Sequence, residues 1–130
     1  MVGQRKTGGT ELAKRTKAYA LRIIRLYGAL PKSLEAQVLG RQLLRSGTSV
    51  GSQYREGCRS RSVAEFVSKL SGALQELDET MYWLELLQDA EIVRASRLTN
   101  LMEESNPISA MLVASINTAK RRLRQKKGKP

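Results

Sequence analysis

The sequence predicts an all-α protein folded as an antiparallel up-down four-helix bundle. Three observations carry this expectation. Apolar residues recur at steps of three and four along most of the 130 residues. Prolines (3) and aromatics (5%) are scarce, which favours helix over sheet. The breaks between the periodic stretches are short, so consecutive helices must turn back alongside one another. A composition of 41% hydrophobic and 27% charged residues suits a folded domain, and the length suffices for one buried core.

Residues 1–9 read as a flexible arm, polar and containing three glycines. Thr10 is placed to cap a first helix running to about Tyr27. On it Leu12, Tyr19, Ile23 and Tyr27 recur at helical spacing with Ala20 and Ile24 beside them, while Lys14, Arg15, Arg22 and Arg25 fall on the other side. Gly28 and Pro31 stop this helix. A second helix is expected from about Ser33 to Gly57, with Leu39, Leu43, Val50 and Tyr54 as its apolar stripe. Gly47, Ser49 and Gly51 make its middle small. Each glycine costs ~1 kcal/mol of helix propensity relative to alanine, so packing against a close neighbour must compensate.

Ser62-Val63-Ala64-Glu65 reads as a capping box, with a serine N-cap and a glutamate three residues later. The third helix then runs to about Asp89, and Val63, Phe66, Leu70, Leu74, Leu77, Met81, Leu84 and Leu87 give the clearest helical period in the chain. A fourth helical region starts near Ala95. It carries Leu98, Leu101, Met102, Ile108, Leu112, Ile116, Ala119 and Leu123, with a kink or break expected at Asn106-Pro107. The bundle thus spans 10–123, and 124–130 form a basic tail expected to be disordered at its end.

The chemistry that is missing narrows the function. There is no histidine, which removes the commonest general base and metal ligand and every dyad built on it. Zinc would need cysteine or histidine in numbers this chain lacks, and no phosphate-cradling glycine loop occurs. The carboxylates Glu65, Glu76, Asp78, Glu79 and Glu85 of the third helix read as a solvated or intersubunit charged face rather than a Mg²⁺ site. No catalytic residue, cofactor or metal is assigned, and the expected protein is not an enzyme. The single cysteine, Cys58, rules out an internal disulfide and fits a reducing compartment. No apolar run approaches the ~18 residues of a membrane span, and the polar N-terminus lacks the apolar core of a signal peptide. A cytoplasmic protein without membrane contact is expected.

Charge is segregated along the chain. Residues 1–61 carry 13 basic and 3 acidic side chains, residues 62–104 carry 3 and 9, and residues 105–130 carry 7 and none. The basic ends attract polyanions, and the acidic middle can pair with basic segments within one chain or between copies. At ~100° per residue, Arg41, Arg45, Arg55 and Arg59 share an arc of ~80° on the second helix, facing away from its apolar stripe. Guanidinium forks bind phosphate in a bidentate manner, so this stripe suits a nucleic-acid backbone. Arg22 and Arg25 of the first helix and Lys120, Arg121 and Arg124 of the last complete the candidate interface. The aromatics Tyr19, Tyr27, Tyr54, Phe66, Tyr82 and Trp83 fall mostly at or beside core positions. Backbone or shape recognition is therefore expected rather than base stacking.

Several stretches together resemble a known family. Gln42-Leu43-Leu44-Arg45-Ser46-Gly47-Thr48-Ser49-Val50-Gly51 is followed by Tyr54-Arg55-Glu56-Gly57. Ser62 with Glu65-Phe66 and Lys69-Leu70 then leads to Ala73-Leu74-Gln75-Glu76 and to Glu79 with Trp83-Leu84. Ala20-Leu21-Arg22-Ile23-Ile24, Leu30-Pro31 and Thr118-Ala119-Lys120 also fit, so the likeness spans about 18–121. These residues resemble the four-helix-bundle family named for proteins encoded in intervening sequences of 23S ribosomal RNA. One departure is Gln53, where that family often has asparagine. The resemblance implies a homopentameric ring and RNA binding, with no catalytic residue to carry over. The accessory variability protein of diversity-generating retroelements, a basic pentameric barrel that binds a reverse transcriptase and nucleic acid, is similar in fold. Two expectations follow: an oligomeric module for structured RNA, or a module docking on a reverse transcriptase or similar partner.

Overall fold

The structure is a computed structural model that describes the backbone of residues 8–127 and the side chains of 11–126. It contains four helices, α1 (Gly8–Gly28), α2 (Leu34–Cys58), α3 (Val63–Asp89) and α4 (Ala95–Lys127), and no strand among the described residues. Contacts across each seam give the register. Gly40, Gly47 and Gly51 of α2 lie against Tyr27, Ile23 and Thr16 of α1. Ser46, Gln53 and Gly57 of α2 meet Thr80, Gly72 and Leu70 of α3. As one number rises the other falls, so both pairs are antiparallel. Arg15 and Tyr19 of α1 reach Glu104 and Ser105 of α4, while Arg22 and Leu26 share a cleft with Arg97 and Leu101, so that pair is antiparallel too. The diagonal pairs α1/α3 and α2/α4 do not approach closely. The result is the up-down bundle expected from the sequence.

Caps set most helix boundaries. The Ser33 hydroxyl accepts from the Ala36 N–H (3.4 Å) and the Ser62 hydroxyl from the Glu65 N–H (3.1 Å), satisfying donors that the first turns leave free. At the other end of α3, Ile92 N–H donates to the Leu87 carbonyl and Glu91 N–H to the Gln88 carbonyl, both at 3.0 Å. This is a Schellman closure, and it puts Glu91 at φ 60°, a left-handed conformation usually given to glycine. The strain costs a non-glycine residue about 1 kcal/mol. Glu91→Gly is therefore expected to raise stability by about 0.5–1 kcal/mol, read as a higher urea midpoint with an unchanged slope.

The helix bounds differ from those expected at three places. α1 is already helical at Gly8, so Thr10 lies inside its first turn and does not cap it, and Gly8 and Gly9 belong to the helix rather than to an arm. The rest of the arm, 1–7, lies outside the described residues. α4 runs through Pro107 for 33 residues, so of the kink or break expected there the break is absent. The proline removes one donor, but the carbonyl it leaves behind belongs to exposed Glu103, where water can satisfy it, and Ser105, Ile108 and Leu112 are buried around the site. Finally, α4 passes the expected bundle end at 123 and continues to Lys127, so the basic tail begins as helix; 128–130 lie outside the described residues.

The core is the one the periodicity picks out, with polar additions. Leu12, Tyr19, Ile23, Leu43, Val50, Leu70, Leu77, Leu84 and Leu112 are buried. Ile24, by contrast, is 47% exposed, because one residue beyond Ile23 turns it ~100° off the core. Tyr19 Oη and Ser105 Oγ lie 3.1 Å apart, and Ser105 reaches Met81 Sδ at 3.0 Å, tying α1, α4 and α3 together. Burial pushes the Tyr19 hydroxyl above its ordinary pKa, which keeps it a neutral partner. Thr80 donates to Ser46 at 2.9 Å across α2 and α3. Gln53, the departure from the family pattern, lays its side-chain amide where a Cβ on Gly72 would sit (2.6 Å).

Candidate nucleic-acid interface

The expected arginine stripe divides into separate groups once the helices are packed. Arg55 and Arg59, in the last turn and at the C-cap of α2, converge with Lys17 of α1 on an open cleft of about 440 Å³. Its floor is small: Ala13, Ala20 and Gly51 lie between the cations. A Cβ on Gly51 would come 3.1 Å from Thr16 Oγ1, so the missing side chain lets α1 and α2 close up and sinks the floor below the basic rim. Glu56 also borders the cleft, but its carboxylate accepts from Lys69 Nζ at 2.9 Å, and that hydrogen bond raises the Lys69 pKa. The acid is thereby engaged toward α3 and leaves Lys17, Arg55 and Arg59 as the exposed charge. Two guanidiniums and an ammonium over a small-residue floor can hold one or two backbone phosphates in bidentate contact.

The other candidate residues lie elsewhere. Arg45 points away from the stripe toward α3, where it pairs with Glu76 (3.3 Å) and Glu79. Glu79 in turn accepts from Trp83 Nε1 at 3.0 Å, so Arg45 helps to join α2 to α3 while its side chain stays 48% exposed. This pairing sets it apart from the cleft that Arg55 and Arg59 share. The reason is geometric: its reach crosses the seam to carboxylates thirty-odd residues later, which a single-helix projection does not show. Arg41 is exposed but lies 14 residues before Arg55, about 21 Å away along α2, and does not border the cleft. Arg22 and Arg25 sit on the opposite flank of α1, beside Arg97 of α4.

Lys120, Arg121 and Arg124 are exposed near the C-terminus of α4, with Arg121 donating to Thr118 Oγ1 at 3.3 Å. Since Met81 lies beside Ser105, the start of α3 comes level with about residue 123 of α4, and 124–127 extend past it. In an up-down bundle this is the end that also carries Arg55 and Arg59.

Lys17 and Arg97 were not singled out from the sequence. Lys17 was legible in principle, since Ala13 and Ala20, four before and three after it, mark the side of α1 on which another helix docks. Arg97 carried a different signal: it is a cation in a first helical turn that holds no acid. Tyr82 is another departure, 54% exposed beside Trp83 with ring centroids 5.3 Å apart. Among the described residues no cluster of three His, Cys, Asp or Glu could hold a metal, and no helix is long and apolar enough to cross a membrane.

The division makes Arg45 a discriminating position. If the cleft of Lys17, Arg55 and Arg59 holds a polyanion, Arg45→Gln is expected to leave that affinity at the wild-type value, measured by fluorescence anisotropy. It should cost less than about 1 kcal/mol of stability, because the pairs it loses are partly exposed.

Comparison with known proteins agrees with this architecture. The family model for the 23S rRNA-intervening sequence protein matches residues 10–114. A crystal structure of a protein of unknown function from the S23 ribosomal protein family of Bacteroides thetaiotaomicron is 34% identical. That match covers 85% of this chain and 99% of the other, with a TM-score of 0.81. No curated protein matches the chain. With the model spanning most of the sequence and the helices superimposing, the chain belongs to the 23S rRNA-intervening sequence protein family.

Proposed function

We propose that this protein is a non-enzymatic RNA-binding module that works as a homo-oligomer. The observation that carries the reading is the cleft formed by Lys17, Arg55 and Arg59, whose one bordering acid is engaged by Lys69. The link to ribosomal RNA in the family name and the basic end of α4 support it. Backbone phosphates of a structured RNA are the expected ligand, since no exposed aromatic platform borders the cleft. Binding through phosphates releases condensed counterions. The slope of log K against log salt should then be roughly −0.7 to −0.9 per phosphate contacted. The variant Lys17→Gln/Arg55→Gln/Arg59→Gln is expected to weaken binding at least about tenfold and to flatten that slope while keeping the helical circular dichroism. Wild-type affinity and slope in the folded triple variant would retire the reading and move a protein-docking role forward, with a reverse transcriptase or similar partner as the alternative.

Self-association rests on a second observation. Leu34 is 80% exposed and Val38, one turn on, 50%; Leu21 and Ile24 of α1 are also exposed. A second copy can cover these side chains while its acidic α3 meets the basic α1 and α2. Five copies are expected from the resemblance alone. Light scattering during size-exclusion chromatography checks this, and a mass of 14.5 kDa at tens of micromolar would refute it.

A further inference from the structure

We infer that the cleft between α1 and α4 bounded by Arg22, Arg25 and Arg97 is a binding site for a phosphate dianion, separate from the cleft between α1 and α2. Three guanidiniums from two helices border a space of about 240 Å³ whose floor is Leu26 and Leu101. No carboxylate borders it. Among the described residues none of the three arginines is in an ion pair. Glu104 lies on the same face of α4 as Arg97, two turns further on, and is engaged by Arg15 at 3.8 Å.

Helix electrostatics separate a structural role from a binding role here. Arg25 stands in the last turn of α1, where a cation is favoured by the helix dipole. Arg97 stands in the first turn of α4, where the dipole disfavours a cation and where this helix has no acid. Three positive charges around one small space also repel one another, so the free protein gains when an anion occupies it. A compact triad suits two negative charges on one group, as in inorganic phosphate or a phosphomonoester. A phosphodiester brings only one, and a continuous backbone is better served by an extended row. The apolar floor contributes no hydrogen bonds, so recognition rests on the guanidinium forks alone.

The shared chemistry, a phosphate dianion, can come from inorganic phosphate or from the terminal phosphate of an RNA. Arg97 does not border the α1–α2 cleft, so this site and the RNA reading can fail independently. The test is the melting temperature of the full chain titrated with inorganic phosphate against sodium chloride at matched ionic strength. The expected result is a rise of about 5 °C at roughly ten times Kd. That rise should be lost in Arg97→Gln and kept in Arg59→Gln. Both positions are exposed, so each variant is expected to fold, with circular dichroism as the check. No rise above the chloride control, an undiminished rise in Arg97→Gln, or equal loss in Arg59→Gln would each overturn the site. A second arm compares two short RNAs differing only in a 5′-phosphate as competitors of the phosphate effect. Stronger competition by the phosphorylated RNA, absent in Arg97→Gln, assigns the site to RNA ends; equal competition assigns it to free phosphate.

Discussion

Leu70→Asp is expected to leave the chain without a stable fold. Leu70 is fully buried, and its Cδ1 packs on the bare backbone of Gly57, 2.6 Å from where a Cβ would stand. A carboxylate in that place has no cation to meet, because the neighbouring Lys69 is directed outward to Glu56. Burying an unpaired charge costs several kcal/mol, against a total stability of about 5–15 kcal/mol for a domain of this kind. Far-UV circular dichroism and a urea titration measure it. Leu70→Ala, which removes contacts without adding charge, should cost about 2–5 kcal/mol and remain folded. A wild-type midpoint in both variants would mean that this face of α3 is not in the core.

Gly47→Leu is expected to cost about 3 kcal/mol or more, even though leucine is the better helix former. A Cβ alone at this position would lie 2.8 and 2.9 Å from Ile23 Cγ1 and Cγ2, and 3.2 Å from Ile23 Cβ. Ile23 is itself fully buried and has nowhere to turn. The added side chain must therefore push α1 away from α2, and overpacking outweighs the ~1 kcal/mol that leucine gains in helix propensity. Gly28→Ala is the control: nothing lies within 4 Å of its Cβ position. Stability equal to or above wild type for Gly47→Leu in a denaturant titration would show that the α1–α2 seam can open freely. The same displacement would widen the cleft between Lys17 and Arg55, so under the proposed RNA-binding role affinity should fall with stability.

The four helices, the Ser62 cap and most of the core were legible in the sequence. Those properties are local or periodic: the Ser62 hydroxyl acts within one turn, and Leu70, Leu77 and Leu84 share a face because the helix repeats every 3.6 residues. The small middle of α2 was also legible as a place where another helix must come close, and Gly47 against Ile23 is that contact. The left-handed turn at Glu91 was not, since no glycine marks it and the closure depends on carbonyls already fixed by α3.

The distribution of charge was decided only by tertiary structure. On one helix Arg41, Arg45, Arg55 and Arg59 form a stripe; in the bundle Arg45 reaches Glu76 and Glu79, while Arg55 and Arg59 meet Lys17 from another helix. Arg22 and Arg25 are likewise brought beside Arg97, more than seventy residues away, by the packing of α1 on α4. A side chain's period fixes which way it points, but the neighbour it meets depends on helix register and separation. These are set by the packing of glycines and leucines along the seams between helices. The sequence therefore showed that the chain is basic at both ends, and packing determined which cations are paired and which share a cleft.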